Sequence, residues 1–315
     1  MSGSFTIINV PDDAAELTET MGSKPKFWFR RADYRRYLYK QTRPGTGEDW
    51  AENIAAELCG LLGLPHAEFE LACWRHTRGV VTPSFVPQGG CLVHGNEVLR
   101  RVLPNYPSRP ASSRQFCRVP QHTVDAVLEV VGILQPPRDW PLAKGIDSAL
   151  GVFVGYLLLD AWIGNTDRHD ENWALVARVP QDQEGELGLY LAPTYDHSSS
   201  LGRNETDERR MARLATSDRG FSVGAYVERT RSALYDKEDD RKPLTTIEAF
   251  VHAARRCRVA ARTWLERLRD VSAEDTRSLL HRVPKDRISG PAIRFAQAIL
   301  QENQRRLLDC ERALS

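Results

Sequence analysis

The chain has 315 residues, of which 41% are hydrophobic and 27% are charged, a balance that is typical of a globular protein and excludes a disordered or fibrous one. Its 43 basic and 42 acidic residues leave a formal net charge of +1, so no overall charge attracts the chain to nucleic acid or to an anionic membrane. The six cysteines form no C-x-x-C pair, which argues against a disulfide framework or a cysteine zinc site and favours a reducing compartment.

No part of the sequence predicts a membrane span or a secretory signal. The N-terminus has no basic region followed by an apolar core. The most apolar run, residues 149–164, is too short to cross a bilayer and contains Asp160, so we expect a buried core helix there. The sequence therefore predicts a cytoplasmic protein that does not attach to a membrane.

The first hundred residues predict mainly strands. Runs of β-branched and aromatic residues, separated by Gly, Pro and Asp, lie at 5–10, 26–31, 34–41, 67–74, 80–87 and 97–103. One helix is predicted among them, at 48–62, and Gly63 closes it. We assign residues 1–103 to one lobe, and we interpret the Pro-, Ser- and Arg-rich residues 104–120 as a linker.

The remaining residues, 121–315, predict a mainly helical lobe. Helices are expected at 123–134, 148–163, 245–269 and 291–313. Between them, 173–179 and 187–193 predict a β-hairpin, and the polar residues 202–242 predict a long surface loop. A β-rich half followed by a helical half predicts an α+β fold with a cleft between two lobes.

The densest polar cluster of the chain follows its most apolar helix. Residues 165–172 (NTDRHDEN) contain three acidic groups, which are costly to assemble unless solvent, metal or phosphate neutralises them. The predicted hairpin would return Asp196 to a position beside Asn172, and an amide and a carboxylate oxygen so placed suit Mg²⁺. Asp167 is then available as the base for an attacking hydroxyl.

The N-terminal half supplies a cation. Lys40 shares one face of its predicted strand with Leu38, and a lysine on an inner face needs a phosphate or a carboxylate as partner. Glu52 and Glu57 lie on the helix that follows, and either is placed to supply the carboxylate. Residues 21–24 (MGSK) predict a turn whose backbone N–H groups would cradle phosphates, although this stretch matches no glycine-rich phosphate motif.

Four stretches of the sequence resemble one group of kinases. The run IGNTDRHDENWALV and the later LAPTYDHSSSLG resemble the catalytic loop and metal-binding segment of the phosphatidylinositol-kinase-like fold. Together with YLYKQ and the following AENIAAELCGLLGLPHAEFE, they are most similar to the HipA-like serine/threonine kinases of the shorter stand-alone type, over roughly residues 20–300. The resemblance implies a bilobal kinase fold that binds ATP and Mg²⁺ in its cleft and transfers the γ-phosphoryl group to a protein Ser or Thr hydroxyl.

The resemblance also implies roles for the polar cluster. Asp167 would be the catalytic base, and Asn172 and Asp196 would be the Mg²⁺ ligands. Arg168 and His169 would shape the loop, and His169 is a further catalytic candidate.

The nucleotide phosphates would be bound by the N-terminal half. Lys40 would hold the α- and β-phosphates, and Glu52 would orient Lys40. The resemblance favours Glu52 over Glu57, because Glu52 lies at the position that the family has relative to the L-G-L-P turn. Gly22, Ser23 and Lys24 would form the phosphate turn, and a phosphate on Ser23 would occupy the space of the nucleotide and switch the enzyme off.

A protein substrate and ATP are the expected partners. His197 and Ser198 follow Asp196 where phosphoinositide kinases and ordinary protein kinases have Phe-Gly, which favours the HipA-like branch. Few residues precede the Gly22 turn, where the longer toxins of the family carry a further subdomain, and this disfavours pairing with a DNA-binding antitoxin. The arginine-rich stretch 252–269 is explained by the solvated face of a helix, so we do not expect nucleic-acid binding.

Three other functions are compatible with the same residues. A phosphoinositide or small-molecule kinase would use the same catalytic groups, and a nucleotide-binding module without catalysis would keep Lys40 and Asp196. A metal-dependent hydrolase or nuclease would use the polar cluster without any nucleotide. The segment 202–242 contains several arginines and is the expected docking place for a substrate or a regulatory phosphate: Arg203, Arg209, Arg210 and Arg213.

Overall fold

The computed structural model of the protein describes residues 3–18, 25–108, 119–178 and 188–311. The strands in these ranges are β1 (Ile7–Asn9), β2 (Leu17–Thr18), β3 (Lys26–Arg30), β4 (Arg36–Gln41), β5 (Glu70–Trp74), β6 (Thr77–Pro83), β7 (Gly90–His94), β8 (Ala174–Arg178) and β9 (Gly188–Leu191). The helices are α1 (Glu48–Leu62), α2 (Gly95–Val102), α3 (Val124–Gly132), α4 (Ala149–Ile163), α5 (Asp207–Ala215), α6 (Val223–Glu228), α7 (Thr246–Arg256), α8 (Arg258–Asp270), α9 (Ala273–Arg282) and α10 (Gly290–Cys310). The predicted α+β class is confirmed.

The N-terminal part forms one six-stranded sheet in the order β1-β5-β6-β4-β3-β2. Alternation along β4 separates two environments, because successive side chains of a strand point to opposite faces. Tyr37 and Tyr39 are buried in an aromatic cluster, whereas Leu38 and Lys40 line a cavity on the other face. The predicted shared face of Leu38 and Lys40 is therefore present.

Helix α1 has the bounds that the sequence predicts and packs against β5 and β6. It ends at Gly63, whose φ of 71° lies in the left-handed region that favours glycine at a helix C-terminus. The side-chain amide of Asn53 donates a 2.7 Å hydrogen bond to the carbonyl of Phe69, just before β5. This bond and the apolar packing position the polar side chains of α1 relative to the sheet.

The C-terminal part is built around α4, in which nearly every residue is buried. An apolar surface on all sides of a helix requires neighbours on all sides, and α3, α7, α8 and α10 pack against α4. Helix α4 ends at Gly164, at a φ of 64°, so the polar loop 165–172 begins directly at the end of a buried helix. Strands β7, β8 and β9 form a three-stranded sheet beside it, and the predicted hairpin of β8 and β9 is confirmed.

One predicted strand in the first part is corrected by the structure, and one strand was not predicted. Residues 97–103 were expected to form a strand, but α2 covers Gly95–Val102 and the strand of this region is β7. The side chain of Glu97 reaches back to the backbone N–H of His94 in a capping box. Leu99 is fully buried and Gly95 is buried beside Trp173, while the charged residues of α2 are not, which suits an amphipathic helix.

Three further corrections concern the C-terminal part. The loop expected at 202–242 contains α5 and α6, whose N-caps are Thr206 and Ser222. The single helix expected at 245–269 is divided into α7 and α8 at Cys257, and α9 was missed although Ser272 begins it with a capping box.

Among the described helices, none combines the length and apolar character that a bilayer crossing requires.

Candidate active site

A cavity of about 590 Å³ lies between the six-stranded sheet and the loop that follows α4, and we call it the first cavity. Five side chains that the sequence singled out line it: Lys40, Asp167, His169, Asn172 and Asp196. They come from a strand of the N-terminal sheet and from two loops of the C-terminal part. The structure thus brings the separate candidate stretches of the sequence to one crevice.

Lys40 is the buried cation of the first cavity. Its Nζ lies 2.8 Å from Oδ1 of Asp196 and 3.9 Å from Oε2 of Glu52. Burial by itself lowers the pKa of Lys40, but the carboxylates of Asp196 and Glu52 outweigh it and raise the pKa above the usual lysine value. Lys40 is therefore a fixed positive charge at neutral pH.

Asp196 holds its carboxylate near Lys40 from a left-handed backbone conformation, at a φ of 57°. Asp adopts this region more readily than most residues, and such positions concentrate at functional sites. About a third of the Asp196 side chain is exposed to the cavity. The carboxylate is therefore accessible to a ligand as well as to Lys40.

Glu52, and not Glu57, reaches Lys40. The Glu52 side chain is almost fully buried, and its Oε1 accepts a 2.8 Å hydrogen bond from the backbone N–H of His197. Its Oε2 has no hydrogen-bond partner among the described residues, so the ion pair with Lys40 is its main compensation. Glu57 lies one and a half turns further along α1 and pairs with Arg282 at 3.2 Å.

The loop 165–172 is organised by the buried guanidinium of Arg168. It donates to both carboxylate oxygens of Asp160, at 2.7 and 2.8 Å. It also donates to the carbonyl of Asn172 at 2.6 Å and to the hydroxyl of Thr194 at 3.0 Å. Arg168 therefore joins the last turn of α4, the loop itself and the chain that leads from β9 to Asp196.

Asp167 and Asn172 are held together within this loop. The amide nitrogen of Asn172 donates a 2.6 Å hydrogen bond to the carbonyl of Asp167. The hydroxyl of Ser199 donates to Oδ2 of Asp167 at 3.4 Å, and Nε2 of His169 lies 3.9 Å from Oδ1. About a third of the Asp167 side chain is exposed, so its carboxylate is oriented but open to the cavity.

Comparison with known sequences finds no match, neither to a family model nor to a curated protein. Comparison with solved structures does find similar folds. The Helicobacter pylori proinflammatory kinase CtkA superposes with a TM-score of 0.70 at 17% identity, over 98% of each chain. A chain of the HipA, HipB and operator DNA complex of Shewanella oneidensis MR-1 superposes with a TM-score of 0.57 at 11% identity, over 96% of this chain and 68% of that one. The chain has the HipA-like kinase fold.

The donors present in this HipA-like fold suit Mg²⁺. Mg²⁺ is commonly bound by one or two carboxylates together with phosphate oxygens and water. Asp196 offers a partly exposed carboxylate, and the Asn172 nitrogen is committed to Asp167, which leaves the Asn172 oxygen for a ligand. Within the described residues no cluster of three or more His, Cys, Asp or Glu could hold a metal.

Some contacts in the candidate site were missed in the sequence, and one prediction is not addressed by the structure. Sequence reasoning gave no role to Ser199, and it found no partner for Arg168, although Asp160 is the single charged residue of an otherwise apolar helix. Gly22, Ser23 and Lys24, predicted to cradle phosphates, lie outside the described residues.

The arginines of the segment 202–242 were expected to lie in a surface loop that docks a substrate or a phosphate, and the structure corrects their placement in a surface loop. Arg203, Arg210 and Arg213 are buried, and the guanidinium group of each is paired with other residues of the protein. Arg203 pairs with Glu48 at 2.7 Å, and Arg213 pairs with Glu205 at 3.3 Å. These residues attach their segment to the body of the fold.

Proposed function

We propose that the protein is an ATP- and Mg²⁺-dependent kinase that phosphorylates Ser or Thr hydroxyls of a protein substrate. The observation that supports this proposal is the convergence of a buried cation, two accessible carboxylates and an amide on the first cavity: Lys40, Asp167, Asp196 and Asn172. Phosphoryl transfer depends on positioning and charge neutralisation more than on covalent chemistry. These four side chains are able to supply both.

Asp167 is the proposed base. As the acceptor hydroxyl oxygen bonds to the γ-phosphorus and the bond from that phosphorus to its bridging oxygen breaks, the hydroxyl proton passes to the Asp167 carboxylate. Ser199 and the loop hold the carboxylate in place for this transfer. Asp196 and Asn172 would hold Mg²⁺, which when bound supplies positive charge to the phosphate oxygens.

The proposal is tested by following the γ-phosphate of labelled ATP into acceptors. We expect the label on Ser or Thr of a protein acceptor such as dephosphorylated casein, and also on the chain itself, with Mg²⁺ required. Phosphatidylinositol vesicles and free sugars are the parallel acceptors for the two other kinase functions. Label that enters only lipid or sugar, or ATP binding without any transfer, would reject the protein-kinase assignment.

Replacing Lys40 with methionine is expected to weaken Mg·ATP binding by about tenfold, which corresponds to the low end of the about 1.5–3 kcal/mol that a charge-assisted contact to phosphate contributes. Mg·ATP at about 100 times its dissociation constant should stabilise the wild-type fold by about 2.7 kcal/mol, and this gain should fall to about 1.4 kcal/mol in Lys40→Met. Thermal unfolding with and without Mg·ATP measures both values. Lys285→Met, at an exposed lysine, is the control and should keep the full gain.

Localisation and partners complete the proposal. We place the protein in the cytoplasm, where its described cysteines would remain the free thiols that the structure contains. A protein substrate is the favoured partner, and a DNA-binding antitoxin remains the less favoured one. Phosphorylation of Ser23 by the protein itself is part of the proposal, and peptide mass spectrometry of the ATP-treated chain would detect it.

A further inference from the structure

A second cavity, of about 720 Å³, lies at the other end of the segment that follows Asp196. The turn 43–46, the hairpin turn between β5 and β6, and the beginnings of three helices surround it. Five arginines line it: Arg43, Arg78, Arg203, Arg210 and Arg287. Of the described residues proposed above to bind nucleotide or Mg²⁺, none lines this second cavity.

Three of these arginines form a buried floor. Arg203, Arg210 and Arg287 are each more than nine-tenths buried. Their terminal nitrogens bond to carboxylates and carbonyls, but the Nε–H groups have no hydrogen-bond acceptor among the described residues. Arg287 has a carboxylate near its Nε, that of Asp286 at 3.5 Å. Arg203 and Arg210 therefore each keep a buried Nε–H donor without an acceptor among the described residues, and such donors are costly to leave unpaired.

The cations of the second cavity outnumber its carboxylates. Glu205 and Asp207 are the acidic residues that line it, against the five arginines. Two further acidic residues do not line the cavity but pair with its arginines. Asp49 pairs with Arg287 at 2.9 Å, and Glu48 pairs with both Arg43 and Arg203. Asp286 near Arg287 is a fifth carboxylate, but Glu205 is also paired with Arg209 and Arg213, so seven guanidinium groups share five carboxylates and positive charge is in excess.

Helix geometry adds to this charge. The N-caps of α1, α5 and α10 are Gly47, Thr206 and Ser289, and all three line the second cavity. A helix N-terminus carries a partial positive charge and attracts anions. Three such ends meeting at one cavity, together with buried guanidinium donors, form a built environment for an anion.

We propose that the second cavity binds the phosphoryl group of a phosphorylated Ser or Thr residue. A guanidinium offers a planar fork of N–H donors that matches two phosphate oxygens, and a phosphate monoester carries nearly two negative charges at neutral pH. Arg43 and Arg78, which are exposed at the rim, would meet the phosphate first. The volume leaves room for the side chain and backbone that carry the phosphate.

The second cavity is connected to the first through Arg203. The Nη2 of Arg203 donates to the Ser199 hydroxyl at 3.0 Å, and Ser199 donates to Asp167 at 3.4 Å. The Nη1 of Arg203 binds Glu48 at the start of α1, the helix that carries Glu52. A phosphate bound to Arg203 would therefore contact the same guanidinium that positions the carboxylate of Asp167.

Binding is tested by titrating the full chain calorimetrically with inorganic phosphate, with the peptide Gly-Gly-phosphoSer-Gly-Gly and with its unphosphorylated form. We expect the phosphopeptide and phosphate to bind, the phosphopeptide more tightly, and the unphosphorylated peptide not to bind. Arg78→Gln should weaken binding about tenfold, because among the described residues its guanidinium has only the carbonyl of Asp286 as a hydrogen-bond partner and its loss does not disturb the core. Arg75→Gln, in the same hairpin turn but outside the cavity, should bind like the wild type.

Two further variants show whether phosphate binds in the second cavity or in the first. The binding measurement on each does not depend on phosphoryl transfer. Pro44→Glu adds a negative charge at the exposed rim and should weaken binding at least as much as Arg78→Gln. Lys40→Met alters only the first cavity and should leave phosphate binding unchanged. Binding that is lost in Lys40→Met but kept in Arg78→Gln and Pro44→Glu would overturn the proposal, and binding of inorganic phosphate without the phosphopeptide would reject the phosphorylated residue as ligand.

Discussion

Asp167→Asn is expected to lower the rate of phosphoryl transfer by about 10²- to 10⁴-fold and to leave the affinity for Mg·ATP unchanged. Asparagine keeps the size of the side chain and accepts the hydrogen bond from Ser199, but it cannot accept a proton from the attacking hydroxyl. The carbonyl of Asp167, which binds Asn172, belongs to the backbone and is retained. The substitution therefore removes proton acceptance and little else.

A catalytic base is identified when its replacement lowers the rate of transfer but leaves the affinity for Mg·ATP unchanged. Transfer is measured by initial rates at saturating Mg·ATP, and binding by the stabilisation that Mg·ATP gives to the fold. Asp139→Asn is a matched control, because Asp139 is exposed and its φ of 68° suits asparagine equally well. A variant Asp167→Asn with normal turnover would show that another group accepts the proton, and a variant that no longer binds Mg·ATP would assign Asp167 to nucleotide binding.

The regular elements that surround the candidate site could be predicted because the sequence encodes them locally. Residues 48–62 combine an apolar stripe with a closing glycine, and the structure has a helix with these bounds. The alternation that places Leu38 beside Lys40 is likewise a local pattern, and both side chains line the first cavity. Hydrophobic patterns that repeat every 3.6 residues in a helix or every 2 residues in a strand are visible in the sequence itself. They can therefore be recognised without knowing which other elements pack against the segment.

The long-range contacts of the site could not be predicted in the same way. Nothing near Arg203 in the sequence indicates that it pairs with Glu48, 155 residues away, or that it reaches Ser199. The segment 202–242 was assigned to a surface loop because it is polar, but Arg210 and Arg213 are polar residues that are buried through ion pairs. Composition records polarity, whereas burial of a charge depends on partners that only the fold supplies.

The segment predicted to be a linker also makes a contact that local composition does not predict. Residues 104–120 were interpreted as a linker, and the structure describes Tyr106 within them as a buried residue. Its hydroxyl donates a 2.6 Å hydrogen bond to Asp170, which lies in the polar loop of the candidate site. The chain between the two halves therefore supports the loop 165–172 directly, and a Pro- and Ser-rich composition gives no sign of this contact.

Arg168→Met is expected to destabilise the fold by about 3–5 kcal/mol, the cost of leaving one member of a buried ion pair without its partner. The Arg168 side chain has no exposed surface, and the variant would leave Asp160, the carbonyl of Asn172 and the hydroxyl of Thr194 without its N–H donors. Burial lowers the pKa of Arg168, but Asp160 raises it further, so the guanidinium is charged throughout the stable pH range. Urea unfolding of the full chain measures the loss.

The matched control is Arg305→Met, which removes a guanidinium from the exposed ion pairs of α10 with Glu302 and Asp309. Exposed pairs of this kind contribute about 0–1 kcal/mol, so the unfolding midpoint should change little. The double variant Asp160→Leu, Arg168→Met should be less destabilised than Arg168→Met alone, because it no longer buries an uncompensated carboxylate. Equal losses in Arg168→Met and Arg305→Met would mean that the buried pair does not hold the loop of the candidate site in place.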